Sequence, residues 1–519
     1  MLLHMLLRQF DPAISLAGVP NIQITGVRED SRQVQQGDVF IARTGLKADG
    51  RQFVADAAAK GAVAVVAAER MADCSIPQAV TTNITAAASV LANILLEQPS
   101  DKVCVLGITG TNGKTTTAYL IRHALLAARQ KCGMIGTIEI DDGRTRREAS
   151  MTTPSAVEIA ELLATMRSRG CWTCAMEVSS HALDQGRVAG VQFAGAAFTN
   201  LTGDHLDYHK KMSRYGAAKA KLFESLRPGA VAVVNAQDRW SKRMTRDCKA
   251  RVITFSVNGR KGDYRARSIE ITAEGSTFTL NAMGCQAKVR MPMIGLHNIA
   301  NTLTAAALLG EVCNLSVQQI ADAMSTATGA PGRLQPVRCG QPFGVFVDYA
   351  HTDDGLKNVL SALRPLTRGK LRVLFGCGGD RDATKRPRMA QMAEELADVV
   401  YLTSDNPRTE DPQAIINEVM RGLSADVEVT GAARGAPGAC PAREGAGKPV
   451  FVEADRRIAI ERVLGDAREG DIVLLAGKGH ENYQIIGTDK RHFDDVEEAS
   501  RILDTLAGRA AATETKLAS

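Results

Sequence analysis

Gly110-Thr111-Asn112-Gly113-Lys114-Thr115-Thr116 is the stretch that decides the fold of this chain. It follows an apolar run, Val103 to Ile108, that reads as a buried strand. It precedes a segment in which Leu120, Ile121, Ala124, Leu125 and Ala128 recur at helical spacing. A glycine-rich turn between a strand and a helix is the context that a phosphate-binding loop requires. Glycines let backbone N–H groups close on phosphate oxygens, and the helix N-terminus adds positive potential. In this reading Gly110, Thr111, Asn112, Gly113, Lys114, Thr115 and Thr116 cradle phosphates, Lys114 reaches the β/γ-phosphates and the Thr115 hydroxyl ligates Mg2+. The spacing departs from the usual one, because its first glycine would fall at Ile108.

Outward from the loop, strand-like runs at Trp172–Val178, Ala194–Thr199, Ala230–Asn235 and Arg251–Val257 alternate with helical stretches. That alternation predicts a mostly parallel α/β sheet. An antiparallel stretch over Ser268–Val289 and a helix over His297–Cys313 are expected to close this region. Before it, Ile22–Val27, Asp38–Arg43 and Ala62–Ala68 read as strands among alanine-rich helices, while Ser75–Val90 has no clear period. Beyond Pro331–Pro336 a third α/β unit begins, with strands expected at Val345–Tyr349, Leu371–Gly376, Val399–Ser404, Val450–Glu453 and Ile472–Ala476. Within it, Thr430–Lys448 is rich in Gly, Ala, Pro and Arg and reads as a surface insertion. The expected fold is α/β throughout, in three domains: residues 1–100, 101–335 and 336–519.

The composition bounds the function. A chain of 519 residues has room for two to four domains, and its 45% hydrophobic content supports cores rather than disorder. Lys+Arg 63 against Asp+Glu 57 gives +6 without a dominant basic block, and aromatics are only 4%, so nucleic-acid binding is not expected. No apolar run reaches the 18 or so residues of a membrane span, and Met1–Phe10 lacks a signal-peptide layout. Eleven cysteines are scattered singly apart from Cys171 and Cys174, which lie in an apolar run with no second pair at zinc spacing. The expectation is a cytoplasmic monomer acting on small molecules.

Two further groups of residues carry chemistry. Glu177 ends a strand in Met176-Glu177-Val178-Ser179-Ser180-His181, and His205 lies in Asp204-His205-Leu206-Asp207-Tyr208-His209 just past another. A carboxylate at a strand's carboxyl end beside the loop suits Mg2+, which takes few protein ligands and keeps several waters. In the third unit four strands each end in a polar loop: Asp348-Tyr349-Ala350-His351, Gly378-Gly379-Asp380-Arg381-Asp382, Asp405-Asn406-Pro407-Arg408 and Gly477-Lys478-Gly479-His480-Glu481. Ligands of open parallel sheets bind outside the carboxyl ends of the strands. Loops of both charge signs there suit a substrate with amino and carboxylate groups, with Arg381, Arg408 and Glu481 as candidates.

On these residues the sequence resembles the Mur ligases of peptidoglycan synthesis over nearly its whole length. The motifs are Thr109 to Thr116, Glu177-Val178-Ser179-Ser180-His181, Asp204 to His209, Pro331-Gly332-Arg333, Asp348-Tyr349-Ala350-His351-Thr352 and Asp405-Asn406-Pro407-Arg408. In this family the last loop marks the members that add diaminopimelate, whereas lysine-adding relatives lack its arginine. The resemblance implies an N-terminal UDP-binding domain, a central ATPase domain and a Rossmann-like C-terminal domain that takes the amino acid.

Carried over by position, Ser31 and Leu46-Lys47-Ala48 would touch the UDP-sugar, and Thr152, Thr153, Ser179, Gln185 and Arg187 its muramoyl-peptide arm. Asn298 and Asn301 would lie on the adenine side, and Arg333 and Asp348 would complete the ATP site. Lys219 matches the lysine that the family carbamylates; as a carbamate it would ligate a metal with His205, as Thr115 and Glu177 do. Arg381, Asp405, Asn406, Pro407, Arg408, Gly477 and Glu481 would bind diaminopimelate. The implied reaction activates the D-glutamate carboxylate of UDP-N-acetylmuramoyl-L-alanyl-D-glutamate as an acyl phosphate, which the amine of diaminopimelate attacks, with domain closure bringing the two together.

Met151 and Asp353 depart from the family pattern, Met151 where some relatives have asparagine and Asp353 in place of a proline. The alternatives are lysine as the amino acid, a folylpolyglutamate synthetase, or a P-loop switch or motor. Arg408 speaks against the first, the N-terminal UDP-type domain against the second and the four polar loops against the third.

Overall fold

The computed structural model describes residues 1–45, 48–259, 261–431 and 447–517. The chain divides into two compact units: Met1–Arg267 with Thr279–Val289 and Ile299–Met324, and Ser268–Phe278 with Arg290–Asn298 and Ser325–Ser519.

In the first unit, Val27–Arg28, Val39–Ala42, Ala64–Ala67 and Gln78–Val80 form a four-stranded parallel sheet in chain order. The strand expected over Ile22–Val27 falls instead at Val27–Arg28, sharing only Val27 with that range. The Ile22 carbonyl accepts from Leu3 N–H at 2.9 Å and Ile24 N–H donates to Met1 at 3.0 Å, so these residues pair with the N-terminal segment instead. Ser75–Val90 proves to hold a strand, Gln78–Val80, and most of a helix, Ile84–Leu95. That helix packs against Leu3–Phe10 and against Ala156–Ser168, so apolar residues occur nearly all round it and no single stripe marks its period.

The loop-bearing strand Cys104–Thr109 is central in the second sheet. The strands Arg251–Val257, Val231–Asn235, Phe193–Phe198, Cys104–Thr109, Thr173–Glu177 and Cys132–Ile135 run parallel in that spatial order. Glu139–Asp141 and Arg146–Glu148 add an antiparallel edge. At the other edge Tyr264–Thr272, Gly275–Ala282 and Cys285–Met291 are successive neighbours, joined by two-residue turns as antiparallel strands can be. The register sets Phe198 beside Thr109 and Glu177 beside Ile108. The carboxyl ends of three strands therefore meet at the glycine-rich loop.

In the second unit a seven-stranded sheet has the order Gln335–Pro336, Gly344–Asp348, Ile472–Ala476, Leu371–Phe375, Val399–Leu402, Pro449–Val452, Glu428–Gly431, parallel except at its first pair. The four strands that carry the polar loops are adjacent, so all four loops emerge at one end of the sheet. Thr430 and Gly431 belong to a strand rather than to the expected insertion, and residues 432–446 of that insertion lie outside the described residues. No helix among the described residues is long and apolar enough to cross a membrane.

Candidate functional site

The loop is shaped by two glycines. Gly110 has φ +150°, and a Cβ there would stand 1.9 Å from Thr199 Oγ1; Gly113 has φ +87°, and its Cβ would stand 2.3 Å from Asn301 Oδ1. Both the backbone conformation and the packing therefore require glycine. The neighbouring strand end clasps the loop: Thr199 Oγ1 and Asn200 Nδ2 donate to the Asn112 carbonyl at 2.6 and 3.1 Å, and Asn112 N–H donates to Asn200 Oδ1 at 3.1 Å. Thr111 Oγ1 lies 3.2 Å from the Tyr215 hydroxyl. Helix Lys114–Ala127 starts on Gly113, and Thr115 and Thr116 are buried in its first turn. Asn301, expected on the adenine side, lies beside Gly113. Asn298 falls in the second unit, where its side-chain amide donates to the Ile294 carbonyl at 2.9 Å.

Lys114 Nζ donates to the carbonyls of Gly110 and Thr111 at 2.9 and 2.7 Å. Lys219, on helix Met212–Glu224, is buried; its Nζ donates to the Gly110 carbonyl at 2.8 Å and sits 4.6 Å above the Tyr215 ring. Burial, reinforced by the charge of Lys114, pulls the Lys219 pKa well below the ordinary lysine value. His205 has φ +54° and approaches Asp204 at 3.4 Å and the His181 ring at 4.9 Å. Burial lowers its pKa and takes that of His181 to about 4.

Glu177 is only 1% exposed and is held from three directions. Thr115 Oγ1 donates to its Oε2 at 2.9 Å, Thr137 N–H to Oε1 at 2.8 Å and Thr137 Oγ1 to Oε2 at 3.0 Å. Thr137 is a residue the sequence reading missed. It follows Gly136 at the end of Cys132–Ile135, a short strand whose apolar run was the available signal. The Thr115 hydroxyl and the Glu177 carboxylate are hard oxygen donors, the type that Mg2+ uses together with water and phosphate oxygens. Among the described residues no three or more His, Cys, Asp or Glu side chains gather to hold a metal unaided.

The expected peptide-arm residues come together. Thr137 Oγ1, whose proton goes to Glu177, accepts from Thr152 Oγ1 at 3.1 Å; Thr153 Oγ1 donates to the Glu177 carbonyl at 2.9 Å and Ser179 N–H to Thr153 Oγ1 at 3.0 Å. Arg187 Nη1 donates to the Thr153 carbonyl at 2.8 Å, and its Nη2 to Gln185 Oε1 at 2.6 Å. Arg43, not foreseen, donates to the Gln185 carbonyl at 2.9 Å and pairs with Glu29 at 3.0 Å. Burial and the charge of Arg43 lower the Arg187 pKa, opposed by the charge of Glu29. Ser31 begins a short turn whose carbonyl accepts from Lys60 at 3.2 Å. Ala48 is exposed, and Leu46 and Lys47 lie outside the described residues.

In the second unit, Asp348 accepts from Leu334 N–H at 2.6 Å and Ala350 N–H at 2.8 Å; burial raises its pKa despite Arg333. The Arg333 guanidinium lies 4.6 Å above the Tyr349 ring. Arg408 has φ +51°; its N–H donates to the Ile485 carbonyl at 3.1 Å, and its own carbonyl accepts from Gly487 N–H at 2.7 Å. Its Nη1 donates to the Gly379 carbonyl at 2.8 Å. Pro407 ends against the same glycine loop, where a Cβ on Gly379 would meet its carbonyl at 1.9 Å. Asn406 Nδ2 donates to Glu481 Oε2 at 2.8 Å, and the Asp405 carbonyl accepts from Gln484 at 2.8 Å. Gly477, at φ +110°, donates its N–H to the Asp348 carbonyl at 3.0 Å. Arg381 is exposed, with Nη1 3.2 Å from the Asp380 carbonyl. Behind this loop the buried Arg386 pairs with Glu410 at 2.9 Å and Glu418 at 2.7 Å.

The two units thus carry a phosphate-type loop with a buried carboxylate, and a zwitterion-type cluster at a sheet's carboxyl end. Known proteins are similar to this chain along nearly its whole length. Residues 23–99 match the Mur ligase family catalytic domain, 108–309 the Mur ligase middle domain and 332–479 the Mur ligase glutamate ligase domain. The UDP-N-acetylmuramoyl-L-alanyl-D-glutamate–2,6-diaminopimelate ligase of Gloeobacter violaceus is 41% identical over 512 residues, covering 98% of this chain and 99% of that protein. The ligase of the same name from Streptomyces coelicolor is 42% identical over 479 residues, 91% of each chain. A solved structure of a ligase of that name superposes with a TM-score of 0.68 at 33% identity, over 96% of this chain and 99% of that one. With relatives this similar along its full length, the chain belongs to the Mur ligase family.

Proposed function

We propose that this protein is an ATP-dependent ligase that joins meso-2,6-diaminopimelate to the D-glutamate of UDP-N-acetylmuramoyl-L-alanyl-D-glutamate in peptidoglycan synthesis. The observation that carries the reading is the Asp405-Asn406-Pro407-Arg408 loop, pinned through Arg408 at a sheet's carboxyl end, in a chain whose full-length relatives bear that activity's name. Residues 1–100 would bind the UDP end of the substrate, 101–335 ATP and 336–519 the amino acid. The reading includes a cytoplasmic monomer.

A carboxylate is a poor electrophile, and transfer of the ATP γ-phosphoryl group turns it into an acyl phosphate. The loop N–H groups and Lys114 neutralise charge as the phosphoryl group moves, which is mainly positioning and electrostatics. Bound Mg2+, for which Thr115 and Glu177 supply fitting oxygen donors, would add neutralising charge there. Thr137 holds Glu177 in place for that role. Lys219 is held toward its neutral amine, the form that adds CO2 to give a carbamate, and His205 would serve beside it. Thr152, Thr153, Ser179, Gln185 and Arg187 would orient the acceptor peptide. The amine of diaminopimelate then attacks the acyl carbon, and the tetrahedral intermediate collapses to amide and phosphate. Arg408, Arg381, Asn406 and Glu481 would hold that amino acid.

Phosphate release tests this, measured with a panel of amino acids in the presence and absence of the UDP-muramoyl-dipeptide. Release that requires both the dipeptide and diaminopimelate is the expected result; release with ATP alone would favour a switch or motor.

A further inference from the structure

Lys478 lies in the loop after strand Ile472–Ala476 and is wholly buried, at 0% exposure. A buried ammonium is costly unless oxygen atoms surround it. Its Nζ donates to the Tyr483 carbonyl at 2.6 Å and to Asn406 Oδ1 at 3.3 Å, and lies 3.4 Å from Asp405 Oδ1. One side chain thus ties its own loop to the Asp-Asn-Pro-Arg loop and to strand Tyr483–Ile486, whose backbone also carries the Arg408 pairing.

The tie has a directional consequence. Asn406 Oδ1 also accepts from Ile485 N–H at 2.9 Å, so two donors fix the oxygen end of that amide. The NH2 end is left to face Glu481, and does so at 2.8 Å. Charge divides in the same way. Arg456 pairs with Asp495 at 2.6 Å, both wholly buried; its charge also reaches Asp405 and Glu481, and that of Arg408 reaches Glu481, but the direct ion pair with Asp405 is made by Lys478. Lys478 sits against Asp405, while the hydrogen bond to Glu481 comes from a neutral amide. Burial and the charge of Asp405 raise the Glu481 pKa, so an arriving cation is favoured there.

We propose that Lys478 is a positioning residue for the amino-acid substrate: by holding Asp405 and the oxygen end of Asn406, it leaves Glu481 as the carboxylate that receives a substrate ammonium. This rests on the reading of the second unit as the amino-acid-binding part of a diaminopimelate ligase.

Steady-state kinetics with ATP, UDP-muramoyl-dipeptide and diaminopimelate test it on wild type, K478M, N406A and K478M/N406A. K478M should raise the KM for diaminopimelate roughly 10- to 150-fold, the range for losing hydrogen bonds to a charged group, with KM for the other two substrates within about twofold. Because Lys478 acts through Asn406, the double variant should be no worse than N406A. If K478M is too unstable to assay, K478M/D405N removes both buried charges and should fold while keeping the raised KM. An unchanged KM for diaminopimelate, an equal rise in all three KM values, or multiplicative effects in the double variant would overturn the proposal. A wild-type enzyme that turns over with another amino acid but not with diaminopimelate would instead overturn the reaction itself.

Discussion

Lys114 and Lys219 donate to the same acceptor: the Gly110 carbonyl lies 2.9 Å from one ammonium and 2.8 Å from the other. Burial first, and the like charge of Lys114 second, disfavour protonation of Lys219. The pair assigns different work to the two side chains. Lys114 lies in the loop that faces the phosphates, whereas the depressed pKa of Lys219 favours its amine form.

Lys114→Ala should lose about 10²–10³-fold in turnover while remaining folded, by analogy with a lost transition-state donor worth about 2.7–4 kcal/mol. Circular dichroism and phosphate release check this together. Near wild-type turnover would remove the loop from the reaction.

Lys219→Ala should be nearly inactive, and added short carboxylic acids should restore part of the activity by supplying the missing oxygen ligand. The burial also has a stability signature. A lysine whose folded pKa is depressed binds fewer protons folded than unfolded, so stability rises with pH from that folded pKa up to the unfolded value of about 10.4. In the absence of nucleotide, Lys219→Met should therefore melt higher than wild type at neutral pH. A lower melting temperature would show that the amine is stabilising where it sits.

Thr137→Val keeps the shape but removes the hydroxyl that donates to Glu177 at 3.0 Å. Loss of one hydrogen bond to a charged group, about 1.5–3 kcal/mol, predicts a roughly 10- to 150-fold fall in kcat. The KM for the amino acid should not move. An unchanged kcat would detach Thr137 from the site.

Much of this site was legible because loops at strand ends keep their chemistry in contiguous residues. Gly110 to Thr116 and Asp405 to Arg408 could be read off directly, and the regular strands around them, such as Arg251–Val257 and Ile472–Ala476, have the expected bounds. What escaped depends on distant pairings. Thr137 acquires its role only when Cys132–Ile135 lies beside Thr173–Glu177, and Arg43 only when Gln185 is brought to it. Lys478 looked like one more polar residue until its burial against Asn406 and Asp405 gave it partners. Ile84–Leu95 was obscured for the opposite reason, since a helix covered on several sides shows no polar face.

Arg456→Met would leave Asp495 as an uncompensated charge at 0% exposure. Breaking such a pair costs about 3–5 kcal/mol, and replacing both partners by apolar groups is often neutral. Urea denaturation should show that loss in Arg456→Met and recovery of most of it in Arg456→Met/Asp495→Leu. Equal stability of Arg456→Met and wild type would mean the pair is not closed in solution.

The choice of amino acid is the central claim, and Arg408 carries it. Diaminopimelate differs from lysine by a carboxylate at the far end of its side chain, which a guanidinium can accept bidentately. The most direct measurement offers wild type and Arg408→Ala equimolar diaminopimelate and lysine with ATP and UDP-muramoyl-dipeptide, and weighs the products by mass spectrometry. Wild type should form the diaminopimelate product almost alone. Arg408→Ala should need roughly 10- to 150-fold more diaminopimelate and lose most of its preference, at about 1.5–3 kcal/mol for the lost contact. A wild-type product containing lysine, or an Arg408→Ala enzyme with its preference intact, would contradict the account.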